Sequence, residues 1–359
     1  MKKRKVRLGF VGAGYQAQVS RLNRFFRLRN ECEMAALAEV KPAQGKRIAA
    51  MYDIKELYRD HKELLAKADV DAYVITQMYT RHLTIVPDFL KTGKPVFTEK
   101  PVAYSLDAAQ KIVDCAKRCK TVHMVGYQLR VDCATQYAKK LMDEWRKTGQ
   151  YGKLQYVRMT VPTGWACYGG NMDPVLTDEK IPDTASTKPE IPDSKLNFDK
   201  HGPDPYNWCV NVCSHNVDAM RFLLGEKLKL AFTGKDALFM VLEGARSGVQ
   251  GVIEFGLVNQ KSSWTHTDTI YFENASLEIQ RPPQLGLNVQ SKLTIYRDEE
   301  QPRYEQPVMP FKDPMLCEAE AFLKVVRGEI APPCTSAEAM EAMQTCWDFA
   351  QRALGRGRS

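Results

Sequence analysis

Apolar and polar positions alternate along the first third of the chain in two registers. Short apolar runs, VRLGFVG (6–12), MAALAEV (34–40), VDAYVIT (70–76), KPVFTE (94–99) and TVHMVGY (121–127), read as buried strands. Stretches with helical spacing separate them, such as IVPDFLKTG (85–93) and LDAAQKIVDCAKRC (106–119). This alternation predicts a parallel, doubly wound sheet with helices on both faces. Past about residue 125 the pattern changes. A helix is expected over 131–147, then a long strand, LQYVRMTVP (154–162), then a stretch (169–207) rich in Pro, Asp, Lys and Gly with little periodicity. A loop of that length is a lid, an arm reaching a neighbouring subunit, or a mobile segment. WCVNVCSHNVDAMRFLLG (208–225) predicts a helix ending on Gly225 as a C-cap. Strand-like runs GVQGVIEFGLV, DTIYFE and SKLTIYR lie within 227–310, and helices near 313–327 and 336–354 close the chain, with Ser336 ahead of Glu338 as the expected cap. The expected class is α/β: a doubly wound domain over 1–125 and an α+β domain over 126–359.

Composition narrows the function. The chain has 359 residues, 44% hydrophobic and 26% charged, enough for two domains with their own cores. Most of the +8 formal charge sits in two short tails, Lys2, Lys3, Arg4 and Lys5 at one end and Arg352, Arg356 and Arg358 at the other. No basic stripe interleaved with aromatics follows them, so nucleic acid is not an expected partner. The ten cysteines form no CxxC pair; Cys115/Cys119 and Cys209/Cys213 have helical spacing and read as free thiols in a reducing compartment, without a metal. The basic start before LGFVGAG is too short and glycine-rich for a signal peptide, and no run reaches the ~20 apolar residues of a membrane span. A cytoplasmic setting is expected.

GAGYQA (12–17) fits the pattern G-x-G-x-x-G/A between a strand and a helix. Gly12 permits the turn, Gly14 lets backbone approach a pyrophosphate, and Ala17 allows close helix–sheet packing. Glu39, at the tip of the second strand, suits both ribose hydroxyls and repels a 2′-phosphate, which favours NAD over NADP; Lys41 is the opposing signal. The Gly14–Glu39 spacing is longer than usual and implies a longer first helix. The plain alternative for Glu39 is a solvated charge.

FTEKPV (97–102) puts Lys100 at the carboxyl end of a parallel strand, the edge where ligands bind in open α/β sheets. A lysine there can donate to a substrate hydroxyl and stabilise the alkoxide. Otherwise it is an exposed turn lysine. Pro101 permits a cis bond before it.

With GFVGAGYQA, VITQMYTRHLTIVPDFLKTGKPVFTEKPVA, VGYQLRVD and SHNVDAMRFLLG in place, the sequence resembles the Gfo/Idh/MocA oxidoreductases over nearly its whole length. This family includes glucose–fructose oxidoreductase and inositol dehydrogenases. The resemblance implies an N-terminal Rossmann domain and a C-terminal α+β domain with an open, mostly antiparallel sheet that often mediates dimers or tetramers. It places the nicotinamide between the domains and makes Lys100 and His215 the catalytic pair. The cofactor-binding set is Gly12, Gly14, Tyr15, Gln16, Glu39, Thr76, His82, Glu99 and Lys100. The substrate set is Gln128, Arg130, Trp165, Asn211 and Asp218.

One departure stands out. Many members carry aspartate four residues before the catalytic histidine; here it is Asn211, which can orient the imidazole without supplying charge. Each assignment has a plainer counterpart: a core histidine at 215, a salt bridge at Arg130, a surface pair at Asp218, an N-cap neighbour at His82, packing aromatics at Trp165 and Tyr168. The leading reading is an NAD-dependent dehydrogenase acting on a secondary hydroxyl of a sugar, glycoside or cyclitol, within a homo-oligomer. A redox-neutral glycosidase or lyase, with His201 or Asp204 as extra acid/base, is the second reading, and a non-catalytic sensor the third.

Overall fold

The computed structural model describes residues 4–163, 173–185, 187–191, 205–234, 238–258 and 263–353. They form two compact units. The first takes the described residues of 1–126, 172–196 and 318–340; the second takes those of 127–171, 197–317 and 341–359.

The first unit opens with β1 (Val6–Val11), a π-helical turn (Ala17–Leu22) running into α1 (Asn23–Arg27), β2 (Cys32–Ala38), α2 (Pro42–Met51) and β3 (Glu56–Tyr58). It continues through α3 (His61–Lys67), β4 (Ala72–Ile75), α4 (His82–Leu90), β5 (Val96–Glu99), α5 (Leu106–Cys119) and β6 (His123–Gly126). The six strands pair in the order β3-β2-β1-β4-β5-β6, all parallel. The order reverses at β1, so the loops after β1 and β4 part there, the place where such sheets open a crevice for ligands. Strands β4, β5 and β6 are buried along their whole length, as a sheet covered on both faces requires. The predicted doubly wound sheet is observed, with one edge strand, β3, that the apolar runs do not announce.

The second unit carries α6 (Cys133–Thr148), β7 (Leu154–Thr163), α7 (Pro205–Trp208), a second π-helical turn (Cys209–Cys213) and α8 (Ser214–Leu224). Seven strands follow: β8 (Leu228–Thr233), β9 (Phe239–Gly244), β10 (Gln250–Leu257), β11 (Thr267–Phe272), β12 (Ala275–Gln280), β13 (Lys292–Arg297) and β14 (Arg303–Glu305). The eight-stranded sheet runs β14-β13-β12-β11-β7-β10-β9-β8, antiparallel except where β7 meets β10. Helix α6 lies on β12 and β13, and α8 on β10. Gly251 makes the second contact possible: a Cβ there would stand 2.2 Å from the Met220 sulfur. On the strands away from these helices, Tyr156 stacks on Tyr271 at 6.2 Å.

α9 (Pro314–Val326) and α10 (Ser336–Ala353) contribute to both units. In the first, Phe322 packs against Phe25 and Phe97, with ring centroids 6.4 and 5.5 Å away. The Cys334 carbonyl accepts from Val125 N–H at 2.9 Å beside β6. The cap of α10 is Thr335 rather than the expected Ser336. Its hydroxyl accepts from Glu338 N–H at 3.2 Å, while the Glu338 carboxylate accepts from Thr335 N–H at 3.0 Å. The reciprocal box needs a three-residue offset to the glutamate, which only Thr335 has.

Among the described residues, no helix is long and apolar enough to cross a membrane, and no group of three or more His, Cys, Asp or Glu side chains is disposed to hold a metal ion. The described cysteines are free thiols.

Candidate active site

In the first unit the candidate groups gather along the carboxyl edge of the sheet. Gly12 leaves β1 with φ +96°, in the left-handed region, and a Cβ there would stand 2.6 Å from the Gln77 amide nitrogen. At Gly14 a Cβ would meet no described atom within 4 Å, so the space above the loop is open for a phosphate group. Tyr15 and Gln16 follow, Tyr15 exposed. The Thr76 hydroxyl, at the end of β4, lies 3.1 and 3.0 Å from the Val11 and Gly12 carbonyls and fixes the exit of β1.

Glu39 follows β2 and turns its carboxylate back onto the glycine loop. Oε2 accepts from Ala13 N–H at 2.7 Å and Oε1 from Lys41 N–H at 3.0 Å. Burial raises its pKa, against the pull of those two N–H groups. Glu39 is buried, which sets aside its reading as a solvated charge. A dinucleotide fits these groups: an open approach over Gly14 beside a carboxylate held at the tip of β2.

Lys100 is half-buried and follows β5, with a cis bond to Pro101. The turn around it is pinned from beneath. Glu99 is buried and accepts from Arg21 Nε at 2.5 Å, and the same guanidinium reaches Glu318 on α9. Burial alone would raise the Glu99 carboxyl, yet Arg21 holds it below the usual carboxylate range. Arg21 also lies 4.7 Å over the Phe97 ring. His82 is fully buried at the start of α4, its ring nitrogens 3.0 Å from the Val102 carbonyl and 3.1 Å from the Gln77 carbonyl. Burial lowers its pKa, so it stays neutral. Glu99 and His82 are thus both bonded to groups around the turn that carries Lys100.

The second unit holds the other candidates around α8. Asn211 lies half-exposed in the π-helical turn and His215 follows on α8, 7% exposed. Wide turns of this kind recur at functional sites. The Tyr127 ring meets the His215 ring edge-on, with centroids 5.9 Å apart. Arg130 and Asp218 grip each other through two parallel hydrogen bonds of 2.7 Å, both side chains buried. That pair ties the short turn Gln128–Arg130 to α8. Gln128 differs: its amide nitrogen and oxygen are both buried without a hydrogen-bond partner among the described residues. A buried amide left in that state costs about 1–3 kcal/mol and calls for an absent polar partner.

The sequence gives no sign of a network behind α8. The Asn216 amide lies 2.9 Å from His266, which stands 3.4 Å from Asp268; Arg281 then joins Asp268 to Asp132. Nor does it announce Arg21. Trp165, Tyr168, His201 and Asp204 lie outside the described residues.

Comparison with known proteins agrees with the fold of the first unit. The model of an oxidoreductase family with an NAD-binding Rossmann fold matches residues 6–127. The inositol 2-dehydrogenase of Burkholderia multivorans is 25% identical over 295 residues, covering 79% of this chain and 76% of the relative. Among solved structures, a protein of Desulfitobacterium hafniense assigned as an NADPH-dependent oxidoreductase superposes with a TM-score of 0.77 at 16% identity, over 99% of this chain and 97% of that one. The WlbA dehydrogenase of Bordetella pertussis, in complex with NADH and UDP-GlcNAcA, gives a TM-score of 0.66 at 16% identity, over 97% of both chains. These two share the fold.

Proposed function

Because the chain belongs to the Gfo/Idh/MocA oxidoreductase family, we propose that it transfers a hydride between NAD and a secondary hydroxyl of a sugar, a glycoside or a cyclitol. The 3-hydroxyl of a glucoside is the narrowest form of this reading. The observation that carries it is the placement of Lys100 after β5, on the same sheet edge as the glycine loop and Glu39.

Gly12, Gly14 and Glu39 are the groups that would hold the dinucleotide, with Tyr15, Gln16 and Thr76 beside them. When bound, its nicotinamide supplies the hydride acceptor. The Lys100 ammonium donates to the substrate hydroxyl oxygen and stabilises the negative charge that grows there. His215 takes the hydroxyl proton as general base, and Asn211 orients its ring or binds a neighbouring hydroxyl. Gln128 supplies an amide donor and acceptor to the substrate, which accounts for a buried amide that no described group satisfies. Arg130 and Asp218 act as a positioning pair beneath it. The aromatic side chains Phe232, Tyr271 and Tyr304, exposed on the eight-stranded sheet, support a second copy of the chain as partner.

The test is to purify the protein and screen cyclitols, free sugars and glycosides for NAD reduction. Steady NADH accumulation with one of these classes supports the reading. Release of free sugar from a glycoside without NADH supports a redox-neutral cleavage instead, and no reaction with any class overturns both.

A further inference from the structure

A strap of chain, described over 173–185 and 187–191, lies on the first unit along the carboxyl edge of its sheet. Hydrogen bonds hold it at several points. Val175 pairs with the Gln18 side chain, its N–H donating to Oε1 at 2.8 Å and its carbonyl accepting from Nε2 at 3.0 Å. Thr177 N–H donates to Gln44 Oε1 at 3.3 Å. Farther along, the Thr187 carbonyl accepts from Arg81 and Glu190 N–H donates to the Thr80 carbonyl. Gln18 and Gln44 each also donate to the Ala13 carbonyl at 2.8 Å, so the same two amides hold the strap and the glycine loop.

At its middle, the strap places a carboxylate on the start of α2. Ala43 N–H lies 3.1 Å from both Glu179 oxygens, and Gln44 N–H lies 3.1 Å from one of them. The Thr177 hydroxyl donates to the same carboxylate at 2.9 Å and fixes its direction. The Lys41 ammonium, the signal in the sequence that favoured a 2′-phosphate, is 3.4 Å from the Thr177 carbonyl. Hydrogen bonding from Ala43 N–H holds the Glu179 carboxyl below its usual range, so it is ionised at neutral pH.

These donors are the ones a 2′-phosphate would need. Glu39 reads the ribose 2′-oxygen in an NAD site. A phosphate on that oxygen would sit in the turn after β2, where Lys41, whose N–H bonds Glu39 at 3.0 Å, leads into the first turn of α2. We propose that Glu179 is a specificity-determining residue of the dinucleotide site: its carboxylate occupies the 2′-phosphate donors, so the site admits NAD and excludes NADP. To enter, NADP must displace Glu179 and then face both it and Glu39 as like charges. This inference rests on the first unit being a dinucleotide-binding domain.

The test is titration calorimetry of the full chain with NAD and NADP, free of any substrate or turnover. The unmodified protein is expected to bind NAD more tightly. Glu179→Gln keeps the size of the side chain and removes its charge. It is expected to tighten NADP binding by about tenfold while NAD binding changes by less than about threefold. Adding Lys41→Ala to Glu179→Gln should remove the gain, because the Lys41 ammonium is the cation left to meet the phosphate once the Glu179 charge is gone. Preference of the unmodified chain for NADP, or an unchanged NAD-to-NADP ratio in Glu179→Gln, overturns the inference and leaves the dinucleotide reading standing. Binding of neither nucleotide overturns both.

Discussion

Behind Lys100, Arg21 reaches two buried carboxylates, Glu99 and Glu318; behind His215, Arg130 grips Asp218 through two parallel bonds. Both supports are buried and both hold a short turn, but they reach different distances along the chain. Glu318 lies 297 residues from Arg21, whereas Asp218 lies 88 from Arg130. The first support therefore ties its turn to a helix near the far end of the sequence, and the second joins neighbouring elements of one unit. Buried ion pairs add little net stability once desolvation is counted, yet breaking one strands a charge. Loss of Arg21 uncovers two buried carboxylates at once, Glu99 and Glu318, against at least one, Asp218, at Arg130. The turn at Lys100 is thus the more costly of the two to disturb from a distance.

The largest expected effects come from the presented groups themselves. Lys100→Ala and His215→Ala should each lower turnover by about 10²- to 10⁴-fold, with dinucleotide binding retained. Steady-state kinetics beside a binding titration checks this, and full turnover in either variant removes that residue from the pair. Next come the supports. Arg21→Met should destabilise the fold by about 5 kcal/mol and Arg130→Met by about 3 kcal/mol. Chemical denaturation measures both, and equal losses would erase the distinction between them.

Acid should act on both units through buried histidines. Burial lowers the pKa of His82 and His123 in the first unit and of His266 in the second, His123 to about 3. The unfolded chain takes up protons near pH 6.5 that the folded chain refuses. Stability is therefore full above about pH 6.5 and falls as pH drops toward 3. Between pH 6.5 and 5 the His123 share is about 2 kcal/mol, which His123→Gln should remove from the pH dependence of denaturation. The smallest effect belongs to the second unit alone: Gln128→Leu should stabilise the fold by about 1 kcal/mol while raising KM. A loss of stability instead would mean that the amide is already satisfied.

The parts of the site that follow from local spacing were legible in the sequence. Gly12, Gly14 and Glu39 sit where a strand–turn–helix must put them, and Lys100 follows from the end of an apolar run. Long-range partnerships were not. Arg21 sits in the stretch SRLNRFFRLR, where nothing local marks it as buried; its partners lie far off at residues 99 and 318. Arg130 and Asp218 looked like separate polar groups near a substrate, because nothing local says that they meet. β3 has three residues and α3 seven, too few for a period to emerge. The strap was visible only as an aperiodic stretch, since side-chain amides of distant residues hold it in place.

The chain's return to its first unit at 318–340 bears on how the protein is born. When a ribosome has released residue 126, all six parallel strands are out, yet Phe322 is not there to cover Phe25 and Phe97, and Arg21 has one of its two carboxylates. The nascent nucleotide-binding half waits, partly uncovered, for some two hundred more residues. A chaperone that shields that apolar gap during synthesis should raise the yield of folded protein more than one that acts after release.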